Sequence, residues 1–156
     1  MKGDKKVIDA LNDVLTAELT AINQYFLHSR ICADWGYAKI AKKVYDESID
    51  EMKHAQKLVD RILFLEGMPN LQKLNKLNIG ETVPEQFKSD LAMEYDAVER
   101  FRKAIETANE ARDYTTRELF EEMLIDEEKH VDWLEAQLQI IGDVGVQQYL
   151  AEQIHE

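Results

Sequence analysis

Core-type positions recur in steps of three and four along four long stretches of the chain. The first runs Ile8, Leu11, Leu15, Glu18, Ile22, Tyr25 and Ser29, and the second Val44, Ser48, Glu51, Ala55, Leu58, Ile62 and Leu65. The third runs Phe87, Leu91, Glu94, Val98, Phe101, Ile105 and Ala108, and the fourth Phe120, Met123, Glu127, His130, Leu134, Leu138 and Ile141. That period marks one face of an α-helix. Neither proline nor glycine interrupts 5–34, 38–65, 85–111 or 114–141, so the pattern predicts four helices, each about 40 Å long. Asp4 suits the N-cap of the first, Pro84 the first turn of the third and Gly142 the stop of the fourth.

The connections then set the topology. The turns near Gly36 and Asp113 are short and make antiparallel hairpins, whereas Glu66 to Val83 is long enough to travel the length of a helix. The expected fold class is all-α. It is a four-helix bundle over about 4–142 with one long crossover between helices two and three, in a single domain spanning 1–156. A short fifth helix over about 146–154 would dock through Val146, Leu150 and Ile154.

Each predicted helix puts one glutamate on its core face: Glu18, Glu51, Glu94 and Glu127. Burying an unpaired carboxylate costs several kcal/mol, and four together repel one another. The midpoint of Glu18 and Glu51 falls in the first turn and that of Glu94 and Glu127 in the last, so all four can share one level. The chain also repeats. Glu18 to Glu94, Glu51 to Glu127 and His54 to His130 are each 76 residues apart, and Asp50–His54 matches Asp126–His130 except at Met52. Glutamate and histidine three apart project from one helix face. Two such hairpins related by a pseudo-twofold would gather Glu18, Glu51, His54, Glu94, Glu127 and His130 around two divalent cations, whose charge balances four carboxylates. Carboxylate and imidazole without thiolate suit iron or manganese better than a structural zinc, and paired glutamates with two Glu-x-x-His motifs are the known pattern of di-iron bundles.

Composition narrows the partners. Nineteen basic against thirty-one acidic residues give a net charge of −12, which argues against nucleic acid and anionic membrane surfaces. A lone cysteine, Cys32, excludes an internal disulfide. There is no apolar run of membrane-crossing length and no signal-peptide core near the start, so a soluble, cytoplasmic protein is expected.

Several residues carry two readings each. Tyr25, two turns from Glu18, could hydrogen-bond a metal ligand and donate electrons, or simply pack. Met52 breaks the repeat and points away from the core, on a flank shared with Leu19, Asn23, Phe26, Tyr45 and Ile49. That second apolar stripe predicts a twofold subunit contact, where a thioether packs or serves as a haem ligand. Asp50 and Asp126 are either ligand supports or ordinary surface charge, Trp133 reads as packing, and His28 and His155 as structural.

Over nearly its whole length the sequence resembles the bacterioferritin family. The match is carried by MKGDKKVI at the start, Glu18, AINQYFLHSR (21–30), ESIDEMKHA (47–55), RILFLEGMPNL (61–71), KLNIGE (76–81), Glu94 and DEEKH (126–130). The resemblance implies a ferritin-like fold and a homo-oligomeric shell of 24 subunits. It further implies ferroxidase activity, oxidising Fe(II) with O2 or H2O2 at a centre of two iron ions per subunit and storing ferric mineral. Glu51 and Glu127 would bridge the metals, Glu18 and His54 completing one site and Glu94 and His130 the other. Haem b shared by two subunits would take Met52 from each as axial ligand, and a small ferredoxin-type partner would supply electrons for iron release. Several family members have histidine where this chain has Asp46; Asp46 and Asp50 could still hold iron as a carboxylate pair. The competing functions are a haem-free ferritin, a small di-iron or dimanganese oxidase, and a non-enzymatic helical interaction module with a structural metal.

Overall fold

The structure, a computed structural model, describes residues 1–155. Five helices follow in order: α1 (Lys5–Trp35), α2 (Ala38–Phe64), α3 (Val83–Glu110), α4 (Tyr114–Val144) and α5 (Val146–Ala151). There is no strand among the described residues. Asp4 caps α1 through its side chain, which accepts from the Lys6 N–H at 2.7 Å, and Pro84 stands in the first turn of α3. Gly142 does not end α4. The helix continues through it to Val144, and Gly145, at φ 85°, turns the chain out. A glycine costs a helix only about 1 kcal/mol, so the stop falls where the backbone needs a positive φ.

The α1–α2 and α3–α4 hairpins pack face to face. Tyr25 meets Glu94, His28 meets Asp90 and Cys32 meets Gln86, so α1 and α3 run antiparallel and α2 and α3 run parallel. The crossover climbs along α1, tied by its own backbone N–H groups. Asn70, Asn75, Asn78 and Gly80 donate to the side chains of Asn12, Thr20, Gln24 and His28. These acceptors lie on one polar stripe of α1 and satisfy an otherwise irregular segment.

Apolar packing divides into two clusters. One gathers Leu11, Leu15, Leu58, Ile62, Phe101 and Phe120; the other gathers Tyr25, Ile40, Val44, Phe87, Leu134 and Tyr149. The predicted glutamates and histidines lie in neither cluster. The short tail docks only in part as expected: Leu150 packs against the second cluster. Val146 and Ile154 are exposed, and Ile154 lies beyond the helix. Tyr149 is the anchor, its ring edge-on to Phe87 at 6.2 Å and its hydroxyl 2.7 Å from Gln137 Oε1. Such an aromatic buries more surface than any of the predicted aliphatics, and the sharp turn at Gly145 selects the face that carries it. No helix among the described residues is long and apolar enough to cross a membrane.

Candidate metal centre

Four glutamates and two histidines from α1, α2, α3 and α4 converge between the two apolar clusters, all buried. Their donor atoms fall into two groups, each within 4.8 Å: Glu18, Glu51, His54 and Glu127, and Glu51, Glu94, Glu127 and His130. Glu51 and Glu127 belong to both. The helical spacing of Glu51 to His54 and of Glu127 to His130 sends each pair inward from one helix.

The imidazoles share an orientation. His54 Nδ1 lies 3.2 Å from Glu18 Oε2 and 3.2 Å from Glu127 Oε1, while its Nε2 meets Asp126 Oδ2 at 2.9 Å. His130 Nδ1 lies 3.0 Å from Glu51 Oε1 and 3.4 Å from Glu127 Oε2, and its Nε2 pairs with Glu47. Each ring therefore turns one nitrogen to the centre and is fixed from outside by a carboxylate, the usual support of a metal-binding histidine. The pseudo-twofold breaks at that outer layer. Asp126 would map onto Asp50, but Glu47 takes the place beside His130.

The electrostatics are those of crowded buried acids. Burial first, and the neighbouring Glu127 second, hold the Glu94 carboxyl well above the usual carboxylate range. Burial alone would pull His54 down. The Glu127 and Glu51 carboxylates beside it outweigh that and push it up to about 10, and His130 is raised for the same reason. Glu47 is lowered, its contacts with His130 and Lys43 overriding burial. Tyr25 donates to Glu94 Oε1 at 2.5 Å, and burial with that carboxylate beside it holds the phenol well above 10. Even so, both Glu51 oxygens, Glu94 Oε2, Glu127 Oε1 and His130 Nδ1 are buried with no hydrogen-bond partner. Buried polar atoms are rarely orphaned. These five belong to the two donor groups, as the donor set of a pair of cations would.

A pH prediction follows for the metal-free protein. The proton on His54 is held to about 10 in the fold against 6.5 in the free side chain. Its stabilisation is complete below about 6.5 and lost as the pH rises through about 10, and the raised Glu94 acts in the same direction. Calorimetry should show the metal-free melting temperature falling from pH 7 to pH 10. Cation affinity should rise over the same range, because each bound ion displaces protons. Equal pH profiles with and without Co(II) would contradict this.

The remaining residues fall as follows. Asp46 is exposed and paired with Lys42 at 3.0 Å. Asp50 joins not Asp46 but Glu47 and His130, in a third group of donors at the mouth of a cavity of about 340 Å³ that opens outside both histidines. Glu47 is the residue that sequence reading missed. It stands four before Glu51 and seven before His54 on one helix face, but its repeat mate is Met123, so the symmetry that exposed the others hid it. Trp133 packs edge-on against Phe87 at 5.5 Å. Cys32 is buried, its thiol pushed up to about 12 by burial. Met52 is 54% exposed, in company with Phe26 and Tyr45, whose rings lie 6.4 Å apart.

Residues 8–143 match the family model described as the ferritin-like domain. Among relatives, the chain is 50% identical over 152 residues to a bacterioferritin of Mycolicibacterium paratuberculosis, covering 97% of this chain and 96% of that one. It is 49% identical over 149 residues to a bacterioferritin of Brucella melitensis, covering 96% and 92%. The corresponding figures for a bacterioferritin of Rhodobacter capsulatus are 52% over 147 residues, covering 94% and 91%. With the four-helix bundle and its long crossover, these matches settle its kinship: the chain belongs to the bacterioferritin family of ferritin-like proteins.

Proposed function

We propose that this protein takes up Fe(II), oxidises it to Fe(III) at the buried carboxylate and imidazole cluster, and stores the product inside a shell of 24 copies. The observation that carries the reading is the pair of donor groups sharing Glu51 and Glu127, with unpartnered oxygens in each. Glu18 and His54 would hold one ion, Glu94 and His130 the other, and Glu51 and Glu127 would bridge them. Two Fe(II) ions side by side supply two electrons to O2 or H2O2 in one encounter.

The protein's own contribution is placement and charge. Two histidines arrive oriented by Asp126 and Glu47, and Tyr25 steers Glu94 through its hydroxyl. The apolar clusters on either side keep bulk water from the carboxylates, which strengthens their attraction for a cation. Hard carboxylate oxygens favour the ferric state, so oxidation runs downhill. Glu47 and Asp50 line the cavity with His130, among Lys43, Lys53, Lys57 and Lys129, and would give iron a third set of donors outside the cluster.

The exposed face of α1 and α2 fits the second half of the reading. Met52, Phe26 and Tyr45 stand out from the helices, with Leu19 and Ile49 partly covered beside them. Two copies meeting there would bury that apolar surface and bring two thioethers to one axis. The two Met52 thioethers would hold haem b between such walls, and that haem would supply electron transfer from a small ferredoxin-type protein for iron release.

Anaerobic Fe(II) titration followed by O2 tests the proposal. The fast absorbance change should saturate at two Fe(II) per chain, in a particle with the mass of 24 subunits. A monomer or dimer with the same stoichiometry would favour a small-molecule oxidase, and no saturating phase would overturn the metal reading.

A further inference from the structure

Behind Glu94 lies a second buried acid that the oxidation chemistry does not use. Asp90 stands one turn before Glu94 on α3 and is 1% exposed. Its Oδ1 accepts from Gln24 Nε2 at 2.8 Å and bonds His28 Nδ1 at 2.9 Å, while Oδ2 has no hydrogen-bond partner. The proton on His28 can be placed. Gly80 N–H donates to His28 Nε2 at 3.1 Å, so that nitrogen is bare and Nδ1 carries the hydrogen that points at Asp90. Gln24 is oriented in the same way, its Oε1 accepting from Asn78 N–H at 3.1 Å. Both donors on Asp90 are thus aimed by the backbone of the crossover.

The crossover can approach this closely only because residue 80 is glycine. A Cβ there would lie 2.4 Å from the backbone nitrogen of Gln86. Gln86 in turn donates to Gly80 O at 3.3 Å, which closes the contact from the α3 side.

We propose that Asp90 is an outer-sphere anion of the dinuclear site, aimed by the crossover through His28 and Gln24, and that it strengthens binding of the cation held by Glu94 and His130. The inference rests on the dinuclear reading above. A buried acid one helical turn from a ligand lies about 6 Å from it, and an N–H pair fixed on one oxygen suits a carboxylate that must stay put. Its partners hold one oxygen without neutralising the group, since His28 in this tautomer carries no charge. The field of Asp90 therefore reaches the metal, not a local counter-ion.

The test is Co(II) binding to the assembled full-length protein, followed by visible absorption. Wild-type protein should bind two Co(II) per chain, and the ion assigned to Glu94 and His130 is the one whose bands His130→Ala removes. If wild type binds none, the dinuclear reading fails, and this inference with it. If wild type binds two, Asp90→Asn should weaken that one ion roughly tenfold or more. The other ion should be spared, and the band positions should stay unchanged because no ligand has moved. A merely structural Asp90 would instead shift the bands or weaken both ions alike; either result, or wild-type affinity in Asp90→Asn, overturns the proposal. Should Asp90→Asn not fold, Gly80→Ala, which pushes the crossover off His28, decides. Selective weakening of the same ion supports the inference, and unchanged binding overturns it.

Discussion

Replacing Glu51 with alanine should slow Fe(II) oxidation by at least about 100-fold and abolish two-metal binding. Glu51 is fully buried and reaches both donor groups, so its loss strips a ligand from each ion at once. The same change should destabilise the metal-free protein near neutral pH and lower the pKa of both histidines. In the metal-free fold its carboxylate lies 3.0 Å from His130 Nδ1 and 3.5 Å from His54 Nδ1, so its removal also takes a partner from two imidazoles that it holds protonated. Loss of both metals together with lowered histidine pKa values is a signature that an apolar core residue does not give. Stopped-flow absorbance with calorimetry across pH on one preparation reads both. Unimpaired oxidation in Glu51→Ala would remove the bridging role from the account.

Met52→Leu should lose essentially all haem while oxidising Fe(II) at the wild-type rate. The swap nearly conserves volume, and such changes cost less than about 1.5 kcal/mol even in cores. Met52 is half exposed here, so the bundle should tolerate it. The side chain points away from the carboxylate cluster, on the flank of Phe26 and Tyr45, which separates the two functions in space. Soret absorbance per subunit after expression with ample haem is the readout. A band of wild-type intensity in Met52→Leu would rule out the thioether as ligand, and no band in wild type would favour a haem-free ferritin.

How much of this could be read from the sequence depends on where repetition helped. The four helices, their hairpins and the long crossover follow from uninterrupted apolar periodicity and a few breakers. The convergence of Glu18, Glu51, His54, Glu94, Glu127 and His130 was legible because a 76-residue repeat showed two copies of one half-site. Glu47 was not, since its mate in the repeat is apolar. His28 read as structural because periodicity cannot show that a crossover glycine donates to its ring, or that Asp90 waits on the far side. Of the aliphatics at spacing four only Leu150 packs inward, and Tyr149 is the anchor because the turn at Gly145, which sets the docking face, is a three-dimensional fact. Periodicity reports which face of an element is buried; what lies between two elements distant in sequence depends on their packing.

Two cations would hold the buried acids together at mid-bundle. Anomalous diffraction at the iron edge, from crystals loaded with Fe(II) without oxygen, tests it directly. The account predicts two peaks about 3.5–4 Å apart, each within bonding distance of Glu51 and Glu127, one also touching His54 and the other His130. A single peak, or peaks only at Glu47 and Asp50 with the six inner side chains bridged by water, would contradict it.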